Sequence, residues 1–291
     1  MLIRVRATTV TSAESGMRQG RPLWGRAIIG FIAPRKRIRT LGIELAGEVA
    51  AVGKDVTRFR PGDRVFGFTG FGAGANAEYT CMRERGSLAL MPDNTTFEQA
   101  AAAVDGSSTA LYFLRDKAGI QSGQRVLVIG ASGSIGTYAV QLAKHFGAHV
   151  TGVCSTRNVD LVRSLGADEV IDYTVEDFTQ RGERYDIVFD TVGKSSFRRC
   201  RGVLTRTGLY LPTTGLANMV WAATSAVSGG PKVKTGMSVE KKEALAFLRD
   251  LIGAGKLRVV IDRTYPLDEI AKAHRYVDQG RKRGNVVVTI P

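Results

Sequence analysis

The chain has 291 residues, enough for two domains with separate cores. Its composition, 44% hydrophobic and 23% charged, is typical of a globular protein, and no apolar run reaches the roughly 18 residues that cross a bilayer. The net charge of +14 favours anionic ligands and leaves nucleic acid open as a partner. Because no apolar run is long enough, we do not expect the chain to span a membrane.

The basic residues concentrate in three short runs, which we interpret as solvated surface. No aromatic residues alternate with them, as a platform for single-stranded nucleic acid would need. The runs are Arg35-Lys36-Arg37 with Arg39, Arg198-Arg199 with Arg201, and Arg281-Lys282-Arg283. Three scattered cysteines and the lack of a signal peptide favour a cytoplasmic location.

The N-terminal part of the chain predicts a small β-barrel. Alternation over residues 2–10 indicates a strand that begins directly after the first methionine, so we expect an N-terminal hairpin to be missing. Residues 11–40 are irregular and are interpreted as a substrate-side loop or a short helix. Residues 41–68 and 77–80 have the pattern of short strands between glycine turns.

An alanine-rich helix is predicted next, opened at Thr95 or Thr96 by a capping box with Glu98. We expect a break at residues 105–109, whose Asp-Gly-Ser-Ser-Thr is typical of a loop, before the helix resumes over 110–117.

From Gln124 onward, strand and helix patterns alternate, which predicts a doubly wound parallel sheet. The expected strands are 126–129, 149–154, 169–173, 185–190, 208–213 and 232–237, and the expected helices include 158–165 and 239–252. The β-rich end, with strands at 258–265 and 285–290 around a helix at 267–279, is assigned to the first domain. The predicted domains are residues 1–97 with 257–291, and residues 98–256.

The turn after strand 126–129 carries the strongest motif. Gly133 would let the backbone approach a pyrophosphate, and Gly136 would let the following helix lie close to the strand. The G-x-G-x-x-G fingerprint is imperfect, since its first position is Ala131. A glycine turn without ligand is the alternative. The predicted dinucleotide contacts are Ala131, Ser132, Gly133, Ser134, Ile135 and Gly136.

The end of the next strand indicates which dinucleotide is bound. An NAD site carries an acidic residue there for the ribose hydroxyls, whereas this chain has Ser155, Thr156, Arg157 and Asn158. These groups suit the 2′-phosphate of NADPH. The alternative is that Asn158 merely caps the next helix and Arg157 is solvated.

Several motifs in fixed order resemble the medium-chain dehydrogenase/reductase superfamily, in its zinc-independent quinone oxidoreductase branch. They are GIELAGEVAAVG, PGDRVFG, GANAEY, VLVIGASGSIG, YDIVFDTVG and YPLDEIAKAHRYV. The resemblance implies an α/β fold with a Rossmann doubly wound sheet and a GroES-like β-barrel domain. It also implies NADPH between the two domains, a homodimer joined through the edges of the Rossmann sheets, and cofactor contacts at Tyr173, Thr191, Val192 and Gly193.

The positions that hold zinc ligands in zinc-dependent members carry Thr11 to Glu14 and Ile43-Glu44 here, so no metal is predicted. The three histidines do not form a site by their spacing, and His274 is interpreted as a packing or surface residue. The active-site asparagine and tyrosine usual in the family are replaced by Thr11 and Gly16.

The predicted activity is hydride transfer from NADPH to a quinone or an α,β-unsaturated carbonyl. Tyr79 is the first candidate for a proton donor, with Thr11 and Thr109 as hydrogen-bonding neighbours, although Tyr79 could equally be a core aromatic. Two alternatives remain: an NADPH-sensing nucleic-acid-binding protein, or a cofactor-binding remnant without turnover.

Overall fold

The computed structural model describes residues 1–20, 40–215 and 217–291, which form two compact units. Unit 1 comprises Met1–Asp105 and Val239–Pro291, and unit 2 comprises Gly106–Ser238. The sequence placed the junctions at 97/98 and 256/257. The second junction lies earlier in the chain because the helix Lys242–Gly253 packs on a strand of unit 1. The basic run after Pro34 lies outside the described residues.

The strands are named here in chain order. They are β1 Leu2–Thr9, β2 Glu44–Ala51, β3 Arg64–Phe68, β4 Tyr79–Cys81, β5 Ser87–Leu90, β6 Arg125–Ile129, β7 His149–Cys154, β8 Glu169–Asp172, β9 Tyr185–Asp190, β10 Leu204–Pro212, β11 Lys232–Val233, β12 Ile261–Pro266 and β13 Asn285–Thr289.

The helices of the described residues are also named in chain order. They are α1 Ser12–Arg18, α2 Phe97–Ala102, α3 Asp105–Leu111, α4 Ser134–His145, α5 Val159–Ser164, α6 Phe197–Cys200, α7 Ala217–Val227, α8 Lys242–Gly253 and α9 Ile270–Asp278. A π-helical segment, Tyr112–Ala118, continues α3, and short 3₁₀ turns include Thr156–Asn158.

Unit 1 is built on one sheet with the order β12-β13-β1-β2-β3-β5, and β4 pairs with β1. Neighbouring strands are antiparallel except β12 and β13. The alanine-rich helix α2 lies on this sheet, where the buried Ala100, Ala101 and Ala102 pack with Phe66 and Val287. Small side chains let the helix approach the strands closely.

Unit 2 contains an entirely parallel sheet with the order β11-β10-β9-β6-β7-β8. The chain order reverses between β6 and β9, which is the switch point where open α/β sheets bind ligands beyond the carboxyl ends of their strands. Val126 to Ile129 are all buried, as expected for a strand covered on both faces. The prediction of a doubly wound parallel sheet is confirmed.

The predicted helix break at residues 105–109 is wrong. Helix α3 runs through Asp105–Leu111, and the irregular residues are Ala103 and Val104. A Cβ at Gly106 would lie 2.5 Å from Ser134 Oγ and 3.2 Å from the Tyr138 ring, so the glycine allows close packing of α3 on α4. The residue is therefore a contact point between helices rather than a loop signal.

Other differences are smaller. The capping box pairs Thr96 with Gln99 instead of Glu98. Strand β10 begins at Leu204 rather than at 208, β12 begins at Ile261, and β11 ends at Val233, before the expected 237. Among the described residues, no helix has both the length and the apolar character needed to span a membrane.

Candidate nucleotide-binding site

The turn at residues 130–136, called the glycine turn here, joins the carboxyl end of β6 to helix α4. Gly130 has φ +80°, the left-handed region, and a Cβ there would lie 2.6 Å from Val192 Cγ1. The N–H groups of Gly130 and Ala131 both donate to the Val153 carbonyl at 3.0 Å. Gly130 therefore makes the sharp bend that the fingerprint's first glycine normally makes, which explains why alanine is tolerated at the next position.

Gly133 and Gly136 have different reasons for lacking a side chain. A Cβ at Gly136 would lie 2.1 Å from the Gly130 carbonyl oxygen, so only glycine lets α4 start this close to β6. A Cβ at Gly133 would meet nothing closer than that oxygen at 3.4 Å, and Gly133 has an ordinary φ of −81°. The fold does not require glycine at position 133, whereas an approaching anion does.

Helix α4 begins directly at this turn, and Gly133, its N-cap residue, provides no side-chain hydrogen bond. The first N–H groups of a helix lack intrahelical partners, and the helix dipole favours a negative charge beside them. The turn therefore offers a cradle into which a pyrophosphate fits.

The ribose loop, residues 155–158, follows β7 and contains the predicted 2′-phosphate contacts. Thr156 and Arg157 are exposed, whereas Asn158 is buried. Asn158 Nδ2 donates to Ser132 Oγ at 3.0 Å and to Ser155 Oγ at 3.2 Å. Its side chain makes no capping hydrogen bond to α5, so the interpretation of Asn158 as a helix cap is wrong.

One carboxylate lies beside the ribose loop, at the end of the neighbouring strand β8. Asp172 Oδ1 accepts hydrogen bonds from Thr174 N at 2.9 Å and Thr174 Oγ1 at 2.7 Å. Hydrogen bonds to Thr156 and Thr174 hold the pKa of Asp172 below its usual range. The adjacent Tyr173 is 62% exposed. The negative charge of Asp172 would repel a phosphate bound at the ribose loop.

A buried aspartate organises the third loop of the site, after β9. Asp190 Oδ1 accepts from Gly193 N at 2.8 Å and Val192 N at 3.2 Å, and Oδ2 accepts from Ser195 N at 2.9 Å and Tyr210 Oη at 3.1 Å. Burial, followed by the charge of Asp190, raises the pKa of Tyr210. This role was not predicted, although an acidic residue at the end of an apolar strand was the available signal.

The predicted cofactor contacts of unit 2 thus lie at the carboxyl ends of neighbouring parallel strands. The glycine turn follows β6, the ribose loop follows β7, and Thr191 to Gly193 follow β9. Thr191 Oγ1 donates to the Ile129 carbonyl at 2.8 Å, which ties the third loop to the first. The residues present fit a dinucleotide.

Of the candidate catalytic residues, Thr11 and Tyr79 are not brought together as predicted. Thr11 caps helix α1 by accepting a hydrogen bond from Glu14 N at 3.0 Å, just beyond the end of β1. Tyr79 pairs with Arg4 near the start of β1, about 17 Å from Thr9 at the usual strand rise. Tyr79 is 47% exposed, so the prediction that it neighbours Thr11 and the alternative of a core aromatic are both wrong. Thr109 lies on α3, in unit 2.

Unit 1 contains a buried polar cluster around Glu14. Glu14 Oε1 accepts from Asn76 Nδ2 at 2.7 Å and lies 3.6 Å from His274 Nε2. Burial raises the pKa of Glu14 to about 7 and lowers that of His274. The histidine is a packing residue, as expected, but its acidic partner was not predicted.

A second buried acid, Glu44, lies at the start of β2. It accepts hydrogen bonds from the Thr9 hydroxyl and from Asp105 N, and burial, with the nearby Asp105 charge, raises its pKa to about 8. Lys241 Nζ lies 2.9 Å from Asp105 Oδ1 and partly balances this negative charge.

No group of three or more histidine, cysteine, aspartate or glutamate side chains in residues 1–20, 40–215 and 217–291 could hold a metal ion. Cys81, Cys154 and Cys200 are free thiols. The absence of zinc stays a prediction.

Comparison with known protein families matches both parts of the chain. Residues 1–93 match the alcohol dehydrogenase GroES-like domain, and residues 165–288 match the family described as zinc-binding dehydrogenase. The two matches support the predicted pairing of a GroES-like domain with a Rossmann domain.

Individual relatives are similar over nearly the whole chain. Quinone-oxidoreductase QR1 of Triphysaria versicolor is 31% identical, with 99% of this chain and 89% of that protein covered. Trans-enoyl reductase pgmF of Aspergillus terreus is 34% identical over 92% of this chain and 80% of that protein.

A solved structure, Escherichia coli quinone oxidoreductase complexed with NADPH, is 25% identical and has a TM-score of 0.83, with 99% of this chain and 90% of that chain covered. The motif order, the two folds and these likenesses agree. The chain therefore belongs to the medium-chain dehydrogenase/reductase superfamily, as a relative of its quinone oxidoreductases.

Proposed function

We propose that this protein is an NADPH-dependent oxidoreductase that transfers hydride to a quinone or an α,β-unsaturated carbonyl without zinc. The observation that carries the proposal is the site in unit 2: a turn with no side chain at Gly133, followed by a ribose loop with an exposed arginine. The similarity to quinone oxidoreductase QR1 and to an enoyl reductase supports the two acceptor classes.

The proposed roles follow from the positions of the residues. Residues 131–136 would form the pyrophosphate cradle, with the first backbone N–H groups of α4 as its donors, and Ser155, Thr156 and Arg157 would hold the 2′-phosphate. Thr191, Val192 and Gly193 form the loop beside the turn, and Tyr173 adds an exposed ring next to the ribose loop. When bound, the nicotinamide supplies the hydride.

Proton delivery makes smaller demands on the protein. A reduced quinone can take protons from water, so a dedicated acid is optional. The roles of Thr11 and Thr109 as hydrogen-bonding groups stay predictions, and both hydroxyls belong to partly exposed residues. Tyr79 is not carried into the proposal, because it lies near the other end of β1 from Thr11.

The preference for NADPH is tested by replacing Arg157 with alanine. A guanidinium–phosphate contact favours NADPH over NADH by about ten- to a hundredfold, and Arg157→Ala should remove that preference. Titration calorimetry with both nucleotides measures the ratio of their affinities. Binding of NADH should change little.

Arg206→Ala is the matched control, since Arg206 is also exposed but lies near the start of β10, away from the carboxyl ends of the strands. An unchanged NADPH-to-NADH ratio in Arg157→Ala would show that the phosphate contact is assigned to the wrong residue. A wild-type preference for NADH would instead indicate that Asp172 governs the ribose pocket.

Turnover separates the enzyme from its alternatives. NADPH oxidation should be measured with a series of quinones and enones. Tight NADPH binding without turnover on any acceptor would favour a cofactor-binding remnant. Binding of nucleic acid that weakens with salt and competes with NADPH would favour the sensing protein. The cytoplasmic location stays a prediction.

A further inference from the structure

The side chain of Asn158 lies between two segments that are predicted to touch different parts of the nucleotide. It is only 5% exposed, and its amide donates to Ser132 Oγ in the glycine turn and to Ser155 Oγ in the ribose loop. These bonds span 26 and 3 residues of the sequence. The first therefore joins two loops that follow different strands.

Ordinary structural roles do not explain this arrangement. Asn158 ends the 3₁₀ turn Thr156–Asn158 and lies directly before α5 with a helical φ of −111° and ψ of −1°, so its side chain does not serve as a helix cap. Its Oδ1 is buried without a hydrogen-bond partner, which costs stability. The side chain therefore leaves its buried acceptor unsatisfied while its amide reaches Ser132.

We infer that Asn158 is a positioning residue that fixes the glycine turn and the ribose loop at one spacing, and that it does not bind the 2′-phosphate itself. This inference rests on the proposed function, because the spacing matters for a ligand that occupies both segments. A dinucleotide presents its pyrophosphate and its adenosine ribose at a fixed separation. Loops already held at that separation lose less conformational entropy when the dinucleotide binds.

Asn158 and Arg157 are expected to affect nucleotide binding in different ways. A phosphate ligand affects NADPH alone, whereas a spacer affects every nucleotide that reaches both segments. Asn158→Leu keeps a similar volume and removes both hydrogen bonds. We expect affinity to fall about tenfold for NADPH and for NADH alike, with their ratio unchanged.

Ser132→Ala removes the partner hydroxyl and provides a second route to the same effect. If the Asn158–Ser132 bond carries the coupling, the double variant should bind hardly worse than Asn158→Leu alone. Calorimetry on the four proteins with each nucleotide gives this cycle. A changed NADPH-to-NADH ratio in Asn158→Leu would overturn the inference in favour of direct phosphate binding, and unchanged affinities for both would remove any role.

Hydrogen exchange on the free protein tests the same bond without ligand. Amides of residues 130–136 should exchange faster in Asn158→Leu and in Ser132→Ala than in the wild type, and should be unaffected in Arg157→Ala. Unchanged exchange in the first two variants would refute the link. If the wild type bound neither nucleotide, the proposed function would fail while this measurement still decided whether Asn158 holds the turn; if Asn158→Leu did not fold, Ser132→Ala would decide it.

Discussion

Some residues of the candidate site are required by the fold, whereas others are explained only by a bound ligand. Gly136 is required by the backbone of its own turn, since a Cβ would lie 2.1 Å from a carbonyl oxygen. Gly133 has no such requirement. The Asn158 side chain does not cap a helix, and its Oδ1 has no hydrogen-bond partner, which is why we assign it a role in positioning.

Glu14 provides a test at the residue scale, through the pH dependence of stability. Burial raises its pKa from 4.5 to about 7, so the folded protein holds a proton that the unfolded chain releases. The stability of the wild type is therefore unaffected by ionisation of the Glu14 carboxyl below pH 4.5, and it falls as pH rises from 4.5 towards 7. Glu14→Gln cannot ionise. We expect its free energy of unfolding to improve relative to the wild type by up to about 1.4 kcal/mol per pH unit over this window.

Urea unfolding at pH 5, 6, 7 and 8 measures this difference. Glu240→Gln is the control, because Glu240 is exposed and its replacement should leave the slope unchanged. Burial lowers the pKa of His274, so this residue makes the folded protein more stable as pH rises towards its ordinary pKa. His274 is present in both proteins, and the comparison of Glu14→Gln with the wild type therefore isolates Glu14. A difference between Glu14→Gln and wild type that is constant with pH would show that Glu14 is ionised throughout.

At the scale of elements, periodicity predicted the strands and the helix around the glycine turn, and tertiary contacts explain the break that was wrongly predicted at residues 105–109. The apolar run at residues 126–129 and the helical pattern after it were enough to place β6, the glycine turn and α4. The segment 105–109 was misjudged because Gly106 serves packing against Tyr138 of another helix. Glu14 and His274 are 260 positions apart, so no local pattern could pair them.

Helix α7 and strand β11 lie at one edge of unit 2, where we propose a dimer contact. Val233 N donates to Ser225 Oγ at 2.9 Å, which joins the helix to the edge strand. The helix exposes Met219, Val220 and Val227, at 61%, 65% and 90%. Exposed apolar side chains beside an open sheet edge favour a second copy as the partner.

We therefore expect the wild type to have twice the monomer mass in light scattering, and Val220→Glu to shift it toward the monomer. A buried carboxylate at the interface would lack a partner, which disfavours association. Val175→Glu is the matched control, because Val175 is 81% exposed in the same unit but follows β8. A monomeric wild type would refute the dimer, and a dimeric Val220→Glu would place the contact elsewhere.

For the whole molecule, the functional assignment depends more on unit 2 than on unit 1. The switch point, the glycine turn and the loop held by Asp190 are all features of one parallel sheet. The glycine turn was predictable because it follows a buried strand, whereas the role of Asp190 was not predicted. The substrate side was not, since its candidate hydroxyls lie on separate elements and residues 21–39 lack a pattern that predicts structure. The net charge of +14 is compatible with a phosphorylated ligand.

The central claim is that the glycine turn binds a dinucleotide, and Gly133→Val tests it most directly. Gly133 has a backbone conformation open to any residue, and a Cβ there would lie at ordinary contact distance from its neighbours, so we expect the variant to fold, with a free energy of unfolding lower by about 1 kcal/mol from the poorer N-cap, measured by urea unfolding. Calorimetric titration with NADPH should show at least about a hundredfold loss of affinity, because the new side chain occupies the space of the pyrophosphate. Unchanged NADPH affinity in a folded Gly133→Val protein would contradict the account.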